Sequence, residues 1–296
     1  MKKKKFLKRT AEIAEAHRIR EGMKFRLREF DPRETRGGQS EKAAGEMLEQ
    51  GVETLRGLQE KLYAQDRWGV LVILQGLDAS GKDGTIKHVM SGVNPQGCTV
   101  SSFKAPSAEE LQHDFLWRAH QRMPERGKIG IFNRSYYEEV LVVRVHRKTL
   151  EAEKLPEACV SKHIWEERYE DINAFERYLT RNGFLVLKFF LYLSKREQAR
   201  RFLKRIEEDR KNWKFSAADI REREYWKEYQ SAYEEMIQKT SQTCAPWYIA
   251  PADHKWFAHL VVASAVIDEL RRLDPQFPEV DKKEKRELAK AQQLLH

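Results

Sequence analysis

Short apolar runs alternate with amphipathic stretches along most of this chain. From 40 to about 65, Met47, Val52, Leu55, Leu58 and Leu62 recur at helical spacing, which predicts an amphipathic helix. Ser40 stands where a cap is wanted, although Ala43 lacks the acid that completes a capping box. The next apolar segment, "GVLVILQG", has no alternation, as expected of a parallel strand buried on both faces. "TVSSF" and "IGIF" predict shorter strands, "FLVLKFFLYLS" a long one and "PWYIAPAD" a fifth. Helical patterning covers 107–120, 160–181, 195–208, 217–240 and 255–273. Strands alternating with helices predict an α/β fold with a parallel sheet and right-handed crossovers. The expected organisation is a basic, extended N-terminal arm over 1–39, one domain over 40–275 and a charged tail over 276–296. The tail ends in "DKKEKRELAKAQQLLH", which reads as a terminal helix.

Composition narrows the class. Hydrophobic residues make up 41% and charged residues 34%, a balance that suits a soluble globular chain with a heavily charged surface. No apolar run approaches the roughly 20 residues that cross a bilayer. The opening "MKKKKFLKRT" leads into the polar, helix-prone "AEIAEAHRIREG", so no secretion segment is expected. Cys98, Cys159 and Cys244 are far apart and odd in number, which fits reduced thiols in a cytoplasmic protein. A net charge of +9 points to an anionic partner wherever that charge is concentrated.

The segment "VLVILQGLDASGKDG" carries the clearest chemistry. Gly76-x-x-x-x-Gly81-Lys82 matches the phosphate-binding P-loop, between an apolar strand and the amphipathic "TIKHVMSGV". Glycines at 76, 81 and 84 permit turns that aim N–H groups inward, and the helix N-terminus adds positive potential. Lys82 supplies a point charge for phosphate. The pattern then asks for Ser or Thr to hold Mg²⁺, but the residue here is Asp83. Asp78, inside the loop, can take the metal role, because Mg²⁺ needs only one or two carboxylates beside its waters. Asp83 reads equally as a functional acid and as a favourable charge at a helix start.

Two further stretches belong with the loop. "KIGIFNRSYYEEVLVVRVH" is a strand that ends in Asn133 and Arg134, where P-loop enzymes carry a second metal ligand. An arginine at the carboxyl end of such a strand points into the ligand crevice, and its planar fork suits phosphate oxygens. Tyr136 and Tyr137 fit crevice walls or core. "REQARRFLKRIEEDRKNWKFS" concentrates Arg200, Arg201, Lys204, Arg205, Arg210, Lys211 and Lys214. Such a run is a solvated helix or, in a P-loop enzyme, a lid over about 195–225 that brings arginines onto phosphate. His254 and His259 have poor metal spacing and fit a helix start or core better.

Taken with "FKAPSAEEL" and "APWYIAPADHKWF", these motifs make the chain resemble the polyphosphate kinase 2 family, from about 30 to 273. The resemblance implies a P-loop three-layer sandwich similar to thymidylate kinase, with a parallel sheet and a helical lid. It implies Mg²⁺-dependent transfer of phosphate between inorganic polyphosphate and AMP or ADP, with Mn²⁺ as a substitute metal. By position, the catalytic set is Asp78, Lys82, Arg134, Arg201 and Arg205, with metal on Asp78 and Asn133. Phosphate and nucleotide would meet Gly76, Ala79, Ser80, Gly81, Asp83, Gly84, Thr85 and Lys87, then Lys104, Asn133, Ser135, Tyr137 and Glu138. Much of the family has aspartate at the position of Asn133, and asparagine resembles the branch that accepts both nucleoside mono- and diphosphates. The partners expected are polyphosphate, nucleotides and further copies of the chain in a dimer or tetramer, with neither nucleic acid nor membrane. Two other readings compete: an ATP-dependent nucleoside monophosphate kinase, and a P-loop protein that binds nucleic acid through its basic segments. A basic channel longer than one triphosphate separates the first from the polyphosphate reading.

Overall fold

The computed structural model describes residues 2–38 and 40–295; Met1 and Gln39 of the expected arm and His296 of the tail lie outside the described residues. Strands β1 (Arg18–Ile19), β2 (Gly69–Gln75), β3 (Cys98–Ser102), β4 (Ile129–Asn133), β5 (Phe184–Tyr192) and β6 (Trp247–Pro251) form one sheet ordered β1-β6-β5-β2-β4-β3. The last five are parallel to their neighbours. β1 is antiparallel to β6, with Arg18 opposite Tyr248 and Ile19 opposite Trp247, so the sheet is mixed and not purely parallel as expected. Two residues carry too little pattern to announce a strand.

The α-helices in chain order are α1 (Lys3–His17), α2 (Glu41–Gln65), α3 (Lys82–Val89), α4 (Trp117–His120), α5 (Glu138–Val145) and α6 (Ile164–Arg181). They continue with α7 (Lys195–Glu207), α8 (Asp209–Asn212), α9 (Ala217–Arg221), α10 (Trp226–Thr240), α11 (Lys255–Leu273) and α12 (Lys282–Leu295). Every residue of β2 is buried, and its side chains divide by parity. Val70, Val72 and Leu74 join one core with Phe6, Leu55, Leu62 and Val266 from α1, α2 and α11. Leu71 and Ile73 join the other with Val140, Ile172 and Met236 from α5, α6 and α10. An apolar run without alternation is therefore a strand between two helical layers. Among the described residues no helix is long and apolar enough to cross a membrane. The three cysteines are free.

Three other expectations need correction. The extended arm contains α1, which buries Phe6, Ile13 and Ala14; its apolar residues are too sparse among lysines to stand out. Residues 107–120 are mostly irregular, with a 3₁₀ turn at Glu110–Gln112 and the short α4. Local caps stop the helix there: Ser107 and Glu110 bond each other's backbone N–H, and Asp114 then accepts from Leu116 and Trp117. The single helix over 217–240 is α9, a 3₁₀ turn at Glu222–Tyr225 and α10. Ser40 does cap α2, accepting from Ala43 N at 3.2 Å without the reciprocal acid.

Candidate active site

The loop after β2, the residues after β4, helix α7 after β5 and the turn after β6 meet at the carboxyl edge of the sheet. In an open α/β sheet this is where ligands bind. The loop bends sharply. A side chain at Gly76 would come within 2.7 Å of Ser80 Oγ and 2.9 Å of Leu191 O, and Gly81 has φ +108°. Ala79 and Arg134 also sit in the left-handed region, at φ +64° and +63°. Backbone strain of this kind costs about 1–3 kcal/mol per residue and persists where surrounding contacts enforce it.

These contacts are dense. The Lys82 ammonium donates to Gly76 O at 2.6 Å and to Leu77 O at 3.3 Å. Its side chain is only 8% exposed, and burial, with the Arg134 charge adding to it, lowers its pKa to about 8. Arg134 pairs with Asp78 on one side and with Glu138, at 3.0 Å, on the other. Burial opposes its charge, but Glu138 and Asp78 outweigh that and keep the guanidinium firmly protonated. Gln75, with its amide turned to satisfy both neighbours, holds Glu138 at 2.9 Å. Asn133 Nδ2 donates to Asp83 at 2.7 Å, which leaves the Asn133 carbonyl oxygen as a donor for a cation. Arg205 stands 3.5 Å from Asp219 of α9.

An open cleft of about 640 Å³ runs over the loop. Nine basic residues line it (Lys82, Lys104, Arg134, Arg201, Lys204, Arg205, Lys211, Lys214 and Lys255) against two acids, Asp78 and Asp83. A second cavity of about 540 Å³ has walls of Phe103, Leu111, Phe115, Val142 and Val143. The two cavities share Phe103, Lys104 and Arg134. A strongly basic groove thus meets, at Phe103, Lys104 and Arg134, a pocket whose apolar walls are interrupted by acids such as Glu110, Asp114 and Glu138.

Several residues singled out from the sequence lie elsewhere. Ser135 and Tyr137 are fully buried: Ser135 Oγ donates to the turned Gln75 amide oxygen at 3.0 Å and accepts from Tyr137 N, and Tyr137 OH donates to Glu176. Tyr136 is core too. Thr85 returns its hydroxyl to Gly81 O, and Lys87 is exposed outside the cleft lining. Ser80 is buried beneath the loop. Arg201 touches the cleft but spends its donors on Glu197 at 2.8 Å and on backbone carbonyls: Ala79 and Ser80 at 2.9 and 3.0 Å, Ala252, and Asp253 at 3.1 Å. His254 precedes α11, and His259 within it is buried and stacks on His88 at 4.6 Å. Burial and the neighbouring His88 lower its pKa to about 4. Gln198, Asp219 and Arg223, which line a small cavity beside Asp78 and Arg134, were missed. The available signal was spacing, since 198, 201 and 205 form one helical stripe.

One expectation follows from Lys82. Catalytic efficiency (kcat/KM) is expected to fall as pH rises through about 8, because the buried ammonium loses its proton there in the free protein. A pH–rate profile checks this, and a flat limb to well above that value contradicts it.

A strand–loop–helix phosphate cradle, a buried lysine and an arginine at the end of the neighbouring strand define a P-loop phosphotransferase of the α/β class. Residues 38–278 match the family model described as Polyphosphate kinase 2, and the chain belongs to that family. The ADP-polyphosphate phosphotransferase of Rhodopseudomonas palustris is 49% identical over 279 residues, covering 94% of this chain and 96% of that protein. The AMP/ADP-polyphosphate phosphotransferase of Meiothermus ruber is 43% identical over 264 residues, covering 89% of this chain and 95% of that one. A crystal structure of Polyphosphate Kinase 2 from Arthrobacter aurescens TC1 superposes with a TM-score of 0.85 at 37% identity, covering 94% and 96% of the two chains.

Proposed function

We propose that the basic cleft holds the phosphate chain, that the apolar pocket holds the nucleoside, and that transfer takes place beside Arg134. The enzyme is a polyphosphate-dependent nucleotide kinase that moves phosphate between inorganic polyphosphate and AMP or ADP. The observation that carries the division of the site is the sharing of Lys104 and Arg134 between the two cavities. Nine basic groups along one cleft exceed what a single triphosphate needs, which favours a polymer over ATP as the donor. The lid, over about 195–225, and a likeness to thymidylate kinase fit the same reading.

The chemistry is mainly a matter of placing anions. A nucleotide's terminal phosphate is largely dianionic at neutral pH, since its second pKa is about 6, so no general base is required. Lys82, Arg134 and Arg205 screen repulsion between donor and acceptor and align them for in-line displacement. The apolar walls exclude water that would compete as acceptor. Asp78 and Asn133 would hold Mg²⁺, or Mn²⁺ in its place: both present hard oxygen donors to the cleft. Among the described residues no group of three or more His, Cys, Asp or Glu could hold a metal, so water and phosphate oxygens would complete the shell. Bound there, the ion supplies charge neutralisation on the transferring phosphate.

The test is incubation with AMP or ADP, polyphosphate and Mg²⁺, following new diphosphate and triphosphate. In the same assay Asp78→Asn is expected to lower activity by about 10–100-fold and to raise the Mg²⁺ needed for half-maximal rate. A parental Mg²⁺ titration for Asp78→Asn would rule out that carboxylate as a ligand.

A further inference from the structure

We propose that Gln198 is a positioning residue that couples the lid to the phosphate loop. The proposal rests on the loop's phosphate-binding role argued above. Three successive loop carbonyls face α7 and each finds a side-chain donor there. Gln198 Nε2 lies 3.0 Å from Asp78 O, and Arg201 Nη1 lies 2.9 Å from Ala79 O and 3.0 Å from Ser80 O. Because a peptide is planar, with its N–H and C=O on opposite sides, drawing these oxygens toward α7 turns the N–H groups of Ala79 and Gly81 the other way. The helix therefore fixes the orientation in which the loop meets an anion.

Gln198 has a second attachment. Its Oε1 accepts from Arg223 Nε at 3.1 Å, and Arg223 also donates to Lys195 O at 3.1 Å. Arg223 lies in the Glu222–Tyr225 turn, on the return path of the lid. The amide donates at one atom and accepts at its neighbour, and asparagine is one methylene shorter. At 3% exposure, with its Nε2 bonded to the loop and its Oε1 to Arg223, Gln198 is packed between the loop and the turn. It acts through Asp78, whose backbone oxygen it holds and whose carboxylate is the candidate metal ligand. When the lid opens, the Arg223 end is pulled and Asp78 loses its fixed position.

The test compares Gln198→Glu, Gln198→Met, Arg223→Met and the Gln198→Met/Arg223→Met double variant. Gln198→Glu keeps an acceptor for Arg223 but sets a carboxylate oxygen against Asp78 O; Gln198→Met removes both bonds at similar volume. Measured are melting temperature, Mn²⁺ binding by electron paramagnetic resonance with a short polyphosphate present, and kcat with the separate KM values for polyphosphate and nucleotide. Both Gln198 variants are expected to weaken Mn²⁺ binding and kcat by about 10–100-fold, as loss of supporting partners does, with nucleotide KM close to the parent's. Arg223→Met, which leaves the buried loop untouched, is expected to shift the same quantities less. The double variant is expected to match Gln198→Met alone, since residues in one hydrogen-bonded chain are not additive. Folded Gln198 variants with parental Mn²⁺ binding overturn the proposal, and so does strict additivity with Arg223→Met. If Gln198→Met fails to fold, Arg223→Met still decides, because parental metal binding there contradicts coupling to the lid. A parent protein inactive with polyphosphate would instead overturn the functional reading.

Discussion

Replacing Lys82 with alanine is expected to abolish most phosphate transfer, by about 10²–10³-fold in kcat, while leaving the protein at least as stable. Two observations set these opposite signs. The ammonium sits at the start of α3, and the proposed function sets it against the transferring phosphate, where its charge would act in the transition state. Among the described residues it makes no ion pair; its bonds go to Gly76 O and Leu77 O, and burial lowers its pKa. A desolvated cation without a counter-ion is a cost to the folded state. Steady-state kinetics and thermal melting of Lys82→Ala measure both effects. A folded variant with near-parental turnover would sink the P-loop assignment, and a large fall in melting temperature would make Lys82 a structural residue.

The largest stability effect is expected at Lys188, on β5 far inside the sheet. Its ammonium is fully buried and bonds Glu176 at 2.6 Å, Thr240 O at 2.7 Å and the Tyr137 hydroxyl at 2.9 Å. Glu176, equally buried, also accepts from both Tyr136 and Tyr137. Burial pushes Lys188 down, with Glu176 opposing, and pushes both tyrosines up. Lys188→Met leaves a carboxylate without its cation and is expected to cost about 3–5 kcal/mol. Lys188→Met/Glu176→Leu is expected to recover much of that, since apolar replacements of a buried pair are often neutral. Urea unfolding of the single and double variants measures the difference. A loss below about 1 kcal/mol in the single variant would overturn the view that this buried pair holds the sheet to its helices.

The tight glycine loop between β2 and α3 and the arginine at the end of β4 were legible in their placement. Glycines at fixed spacing mark a sharp turn, and a charge after an apolar run marks a strand end. The central strands were legible because a strand buried on both faces cannot alternate. Helix α1 was not, because Phe6 and Ile13 are seven residues apart among charges. Residues 107–120 misled because Ser107 and Asp114 mark where turns start but nothing in the pattern marks where they stop. Arginine at 201 was visible as a charge, yet only the fold reveals that its acceptors are the carbonyls of Ala79 and Ser80. Gln198 has neither charge nor bulk, and on a basic helix it looks like any solvated side chain. Tyr137 and Ser135 lie beside Arg134 in sequence, but the turn after β4 sends them inward.

Around the cleft the charged and polar groups pair with one another: Asp78 with Arg134, Asp83 with Asn133, Arg205 with Asp219. On the proposed reading, phosphate contacts at Arg134 and Arg205 replace existing ion pairs, so the gain at those two groups is small. A lone orthophosphate, which reaches few of these groups, is a weak competitor. A chain is different, because its first engaged unit raises the effective concentration of the next, and small gains multiply along the cleft. Avidity of this kind discriminates by length instead of by any one tight subsite. With polyphosphate held along the cleft as proposed, a shortened donor is expected to shift by one unit while its remaining units stay held, which a ratio of successive transfers to chain releases measures.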